Sequence, residues 1–373
     1  MPTETDTLII GAGPAGLAVG AALRTANVAF TMLERASRIA DSWHGHYSRL
    51  QLHTPKAHSA LPHRDFPRAY PRYPSRQQVI DYLDDYARAF ALTPELGREV
   101  SRCTRADDNL WTVSTAQGDY RARRVVVATG NARVPRVPRW PGEETFPGAI
   151  IHSRAYTSGQ AFRGTRVLVV GFGNSGAEIA LDLADYGAHC SVSVRGAVNV
   201  IPRELLGLPV VMFALLYRPL PSRVADALSK MTVRAAVGDL ASAGLVKSDV
   251  GPMTDIARRR RIPVIDVGTL ARMRRGDIVA RKGVESFDGR EVRFADGTRD
   301  EFDAIVLATG YTTGLAAMFP DHRSVLDSAE RPLVSGRESG VPGLYFCGYD
   351  VVSTGMLRQI GIEAASIAKA LSR

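Results

Sequence analysis

The sequence predicts an α/β protein of two similar halves, one inserted into the other. Three observations predict it. A G-x-G-x-x-G pattern follows an apolar run at Gly11, Gly13 and Gly16, and it recurs at Gly171, Gly173 and Gly176. After each copy a second apolar run ends in a charged residue, Glu34 in the first and Arg195 in the second. Two apolar runs ending in Ala-Thr-Gly, "RRVVVATGN" (123–131) and "FDAIVLATGY" (302–311), bracket the second copy. Strand, glycine turn and helix in this order define a Rossmann-like dinucleotide-binding domain, so two such domains are expected.

The first copy, "TLIIGAGPAGLAVGAAL", reads as strand, turn and small-residue helix. Gly11 permits the tight turn, Gly13 lets a pyrophosphate approach the backbone, and Gly16 lets helix pack on strand. Free N–H groups at the helix start then face the anion. The following strand, "VAFTMLE", ends at Glu34, whose carboxylate can accept from both ribose hydroxyls of an adenosine without a 2′-phosphate. The cofactor expected here is FAD. Arg35, Ser42, Thr129 and Gly130 are assigned to the same site.

Five histidines, His44, His46, His53, His58 and His63, crowd the next stretch. No cysteine or repeated i, i+4 pair accompanies them, and Pro55 and Pro62 interrupt it, so no metal is expected.

The second copy, "RVLVVGFGNSGAEIALDL", carries Asn174 and Ser175 in its turn, and its next strand, "HCSVSVR", ends at Arg195. A carboxylate would repel a 2′-phosphate, whereas a guanidinium grips it in a fork, so this site reads as NADPH. The plain alternative for Arg195 is an exposed strand-end charge. The expected division is a discontinuous FAD domain, 1–155 plus 296–373, with an NADPH domain, 156–295, between. A helical insertion at about 203–261 contains "LPVVMFALLYRPLP". Burial in a pocket or core is its expected role, with a membrane contact or a homodimer face as alternatives. Ala308, Thr309 and Gly310 form the second Ala-Thr-Gly end. "GLYFCGYD" (343–350) reads as strand then turn, with Asp350 a partner for ribityl hydroxyls, and "GIEAASIAKALS" (361–372) as the last helix.

Composition narrows the class. Apolar content of 45% with 23% charged residues is ordinary for a soluble protein. The net charge is +9, but its arginines are scattered apart from "ARRRR" at 257–261, so no nucleic acid partner is expected. An anionic cofactor or substrate suits the basic balance equally well. Cys103, Cys190 and Cys347 lie far apart, which argues against a disulfide framework and for a reducing cytoplasm. The N-terminus runs straight into a strand, with no leader pattern. The longest apolar run, 208–217, is about half of what a bilayer span needs, so no integral membrane segment is expected.

"FPGAIIHSRAY" (146–156) matches the pattern F-x-G-x-x-x-H-x-x-x-(F/Y) at Phe146, Gly148, His152 and Tyr156. On this motif the chain resembles class B flavin-dependent monooxygenases, and Tyr156 in place of tryptophan leans toward their hydroxylating branch. More closely it resembles the plant YUCCA-type enzymes, through "YSRLQLHTPK", "FPRAYPRYPSRQQVIDYLDDYA", "VRGAVNVIPRELLG" and "IPVIDVGTL". The resemblance implies that NADPH reduces FAD, that O₂ adds at flavin C4a, and that retained NADP⁺ shields the adduct from water. The cofactor then does the bond chemistry, and no catalytic acid or base is assigned. It also implies that "DSWHGHYSRLQLHTPK" (41–56) touches the flavin ring, with Trp43 and His53 the residues to watch; Trp43 is otherwise plain core. His53 stands where animal-type relatives have asparagine. The motif around His152 is implied to couple the domains. A 2-oxo acid such as indole-3-pyruvate is the first substrate expected beside O₂, and an amine or thioether the alternative. A disulfide reductase, an NADPH oxidase and a non-catalytic cofactor sensor are the rival readings.

Overall fold

The computed structural model describes residues 2–105, 108–217, 219–321 and 323–373. Arg218, inside the expected insertion, lies outside them.

The first sheet grows from Thr3–Ile10, whose last four residues are buried. It pairs in parallel with Thr31–Leu33 on one side and with Gly118–Val127 on the other. Beyond Gly118–Val127 the sheet forks. The first half of that strand takes Trp111–Thr115 antiparallel, with Val100–Arg105 outside it, and the last three residues take Leu344–Phe346 in parallel. Helix Pro14–Thr25 and the closing helix Met356–Leu371 pack together in one core that also holds much of helix Arg76–Ala89. Ser75 caps the last of these by accepting from the Gln78 amide, while Gln78 accepts from the Ser75 amide.

The second sheet is wholly parallel, in the order Ile278–Arg281, His189–Ser193, Arg166–Val170, Ala304–Leu307 and Ala149–His152. All four residues of Ala304–Leu307 are buried, as a continuous apolar run covered on both faces requires. Helix Asn174–Asp185 covers part of this sheet.

The boundaries expected at 155/156 and 295/296 leave Ala149–His152 and Ala304–Leu307 on the first-domain side, yet both strands hydrogen-bond into the second sheet. A fully buried apolar strand reads alike whichever sheet receives it; only partners distant in sequence decide. Between the sheets the two crossing segments meet, Val134–Pro135 pairing antiparallel with Tyr311–Thr312.

The insertion meets its expected burial only in part: Val237, Leu240, Ala243 and Leu245 join the second core, and Arg223, Asp226, Lys230 and Val233 help line a cavity of about 310 Å³, but two of its helices stay largely exposed. In helix Val210–Tyr217 only Val211 is buried, and Leu216 is 67% exposed. In helix Ser222–Val237, Val224, Leu228 and Met231 are exposed as well. Apolar composition alone does not bury these helices. Among the described residues no helix is long and apolar enough to cross a membrane.

Candidate active site

Both glycine signatures have the same construction. Gly11 has φ +107° and Gly171 φ +111°, a region that disfavours any side chain. A Cβ on Gly11 would meet the Ala128 carbonyl oxygen at 2.7 Å, and one on Gly171 would meet that of Ala308 at 2.5 Å. Each Ala-Thr-Gly strand end is thus fitted against the first glycine of its own turn. A Cβ on Gly16 would fall 1.8 Å from the Gly11 carbonyl oxygen, and one on Gly176 would fall 2.1 Å from that of Gly171. Around Gly13 and Gly173 nothing lies within 4 Å of the same position. Each of these glycines precedes a helix, Pro14–Thr25 or Asn174–Asp185, whose first N–H groups have no partner inside it. Space and unpaired donors coincide, which is the fit a pyrophosphate needs.

A cavity of about 280 Å³ opens over the first turn. Of the residues assigned from sequence it brings together Gly11, Gly13, Glu34, Arg35, Ser42, Thr129 and Gly130. Glu34 accepts from the Ala12 amide at 2.7 Å through one oxygen and from the Ala36 amide at 2.9 Å through the other. The carboxylate is thereby fixed at the mouth of the turn, with lone pairs left for ribose hydroxyls. Thr129 shares a 2.8 Å hydrogen bond with the Tyr349 hydroxyl, whose pKa burial pushes up to about 12.

Gly16, Asp350, Trp43 and His53 do not line the cavity. Gly16 works from behind, through close packing. Trp43 packs half-buried against the first core, with its ring edge-on to His46. Arg98, Arg133, Arg154 and Tyr311 line the cavity without having been assigned. They converge from four separate segments: Arg133 and Tyr311 follow the two Ala-Thr-Gly ends and Arg154 lies in the 146–156 motif, whereas Arg98 had no local signal.

In the second site Arg195 is exposed and makes no hydrogen bond or ion pair among the described residues. Asn174 turns away from its own helix: its side-chain oxygen accepts from the Ile265 amide at 2.7 Å, which braces the neighbouring strand. Thr309 donates to the Arg136 carbonyl, and Gly310 accepts from the Arg136 amide and from His152 Nε2.

The two halves meet through 43–54 and helix Asn174–Asp185. His53 Nε2 lies 2.6 Å from Glu178, a carboxylate only 5% exposed. The Tyr47 phenol adjoins the same carboxylate and Ser175; burial and Glu178 push its pKa well above the ordinary range. Arg49 pairs with Asp185. Tyr156, fully buried, donates to Asp182 at 2.7 Å and meets the Tyr47 ring edge-on.

The rest of the 146–156 motif is structural in the same way. Phe146 packs on Phe287, and a Cβ on Gly148 would strike the Asp303 carbonyl oxygen at 2.1 Å. His152 Nδ1 accepts from the Arg154 amide, so Nε2 carries the hydrogen donated to Gly310. Burial lowers the His152 pKa, and the ring is an organiser in its neutral form.

The three cysteines are free and buried, and burial raises the pKa of each thiol. No group of three or more His, Cys, Asp or Glu is placed to hold a metal among the described residues.

The family described as pyridine nucleotide-disulphide oxidoreductases matches residues 8–203. The chain is 38% identical over 360 residues to indole-3-pyruvate monooxygenase YUCCA4 of Oryza sativa subsp. japonica, covering 92% of this chain and 82% of the relative. With YUCCA6 of Arabidopsis thaliana the identity is 39% over 357 residues, covering 92% and 85%. Among solved structures, a flavin-containing monooxygenase from Stenotrophomonas maltophilia superposes with a TM-score of 0.72 at 22% identity, covering 99% of this chain and 98% of that one.

Proposed function

The chain belongs to the YUCCA-type flavin-dependent monooxygenases, and on that premise we propose that it acts on a small aryl or aliphatic 2-oxo acid, indole-3-pyruvate first, with FAD in the first site and NADPH in the second. The similarity to indole-3-pyruvate monooxygenases over 92% of the chain carries this reading. The doubled turn supports it, since hydride supply and oxygen chemistry need two dinucleotides held at once. A bound flavin would supply, once reduced, the activation of O₂, one atom of which enters the substrate.

The chain's own residues bind, orient and exclude water. Gly13 and the N–H groups at the start of Pro14–Thr25 would hold the FAD pyrophosphate, and Glu34 the adenosine ribose. Gly173 and its helix would do the same for NADPH, with Arg195 on the 2′-phosphate. The Tyr47, His53 and Tyr156 contacts hold the second helix against 43–54 and keep that seam closed. In the net reaction a 2-oxo acid, O₂, NADPH and one proton give the acid one carbon shorter, CO₂, water and NADP⁺. A thiol-based reduction lacks its reactive pair, because each cysteine is buried and free.

The test is an NADPH-consumption assay with carboxyl-labelled oxo acids. Labelled CO₂ released in step with NADPH supports the reading. Coupled N- or S-oxide formation without CO₂ would assign heteroatom oxygenation instead, and peroxide equal to the NADPH consumed across the whole panel would assign an oxidase.

A further inference from the structure

The cavity of about 310 Å³ in the insertion shares no lining residue with the first cavity or with either glycine turn. One wall is residues 198–200, which lead into strand Val200–Pro202, and the other is helix Ser222–Val237. Its floor is apolar, since Val198, Val200, Val237 and Leu240 line it and are buried. On the helix, Asp226, Lys230, Val233 and Val237 recur at helical spacing, so a single face lines the cavity. Val224, Leu228 and Met231 lie on the opposite face and are exposed. The helix thus turns charge toward the cavity and apolar side chains toward solvent, the reverse of an ordinary surface helix.

Four cations line the cavity: Arg223, Lys230, Arg234 and Lys247. None of their side chains makes a hydrogen bond or ion pair among the described residues, whereas Arg49 and Arg72, elsewhere in the chain, are paired with Asp185 and Glu204. Two carboxylates share the space. Asp226 is occupied, accepting from the Met253 amide at 2.8 Å and the Thr254 amide at 3.0 Å. Asp249 is exposed, so two carboxylates leave positive charge over. At the wall, the Val198 amide donates to the Val246 carbonyl and the Ser248 amide to the Val198 carbonyl, so recognition of charge there falls to side chains. A phosphate group favours a cradle of free N–H groups, as at Gly13 and Gly173. Cations above an apolar floor suit one carboxylate on an apolar body.

We propose that this cavity binds a small carboxylic acid with an aryl or alkyl body, apart from both dinucleotide sites. The apolar end would rest on Val198, Val200 and Leu240, and the carboxylate would meet Lys230 and Arg234. The inference stands whether or not the chain turns over a 2-oxo acid.

The test is calorimetric titration of the full-length protein, carrying its flavin, with phenylacetate. Three further probes take the ligand apart: phenylacetamide keeps the body without the charge, acetate keeps the charge without the body, and inorganic phosphate replaces the carboxylate. Phenylacetate is expected to bind, with each of the other three at least about 10-fold weaker. Lys230→Gln combined with Arg234→Gln should weaken phenylacetate by roughly 10- to 100-fold. Neither side chain has a partner among the described residues, so the change strands no native contact. The probe comparison needs no variant at all. Saturating NADP⁺ should leave phenylacetate binding within about threefold. Equal affinity for the amide or for phosphate, or no loss in the double variant, overturns the inference. Displacement of phenylacetate by NADP⁺ also overturns it, since the cavity would then belong to the second dinucleotide site.

Discussion

Gly13 and Gly16 belong to one signature but answer to different constraints. A methyl on Gly16 would collide with the Gly11 carbonyl oxygen, whereas around Gly13 the space is open. Gly16→Ala is therefore a folding variant, expected to lose about 1–3 kcal/mol in denaturant titration. Gly13→Val is a binding variant: it should fold and yet purify without flavin colour. Full FAD occupancy in Gly13→Val would move the pyrophosphate elsewhere. Arg195 gives the matching test in the second site. The guanidinium is exposed and unpaired among the described residues, so its removal strands no partner. Losing a charge-assisted contact of about 1.5–3 kcal/mol, Arg195→Ala should lower the preference for NADPH over NADH by roughly 10- to 100-fold in apparent affinity. Unchanged discrimination would exclude a 2′-phosphate contact.

At the scale of elements, the 146–156 stretch ties a strand end to a crossing ribbon. Asp182 accepts from both the Tyr156 hydroxyl and the Gly159 amide through one oxygen, in a fully buried setting. Tyr156→Phe keeps the ring and removes one donor, which should cost about 1–3 kcal/mol in unfolding free energy. His152 adds a pH dependence. Burial lowers its folded pKa below the 6.5 of the free side chain, so between those values the unfolded chain binds more protons. Its contribution is complete above pH 6.5 and is lost as pH falls through the folded value. His46, also lowered by burial, acts in the same direction. His152→Gln retains a donor for Gly310 without a titrating ring. Chemical denaturation across pH 5–8 should show a shallower acid-side loss for this variant than for wild type, and equal slopes would remove His152 from the linkage.

The two large sheets are joined by a ribbon and a polar seam, with one cysteine in each of three core clusters. The thiols are buried in three separate cores, and none is paired with another. The triple variant Cys103→Ala, Cys190→Ala and Cys347→Ala is expected to turn over NADPH and substrate at rates near wild type, with reduced thermal stability from lost packing. Complete loss of turnover with FAD retained would reinstate thiol chemistry.

The glycine turns, their helices and the strand-end charges were legible in the sequence because they obey local sterics. Gly11 and Gly16 constrain each other across five positions, and a strand–turn–helix leaves few other conformations. The motif around His152 was equally visible, though its reason was not, since Asp182, Asp303 and Gly310 come from distant parts of the chain. Tertiary structure alone decided that Ala149–His152 and Ala304–Leu307 join the second sheet, and that His53 meets Glu178 across 125 positions. It also decided the exposure of the 210–217 helix, whose composition suggested burial. Sequence pattern specifies which surfaces are apolar and which groups can bond, whereas the partner of each surface is set by long-range packing that no local window contains.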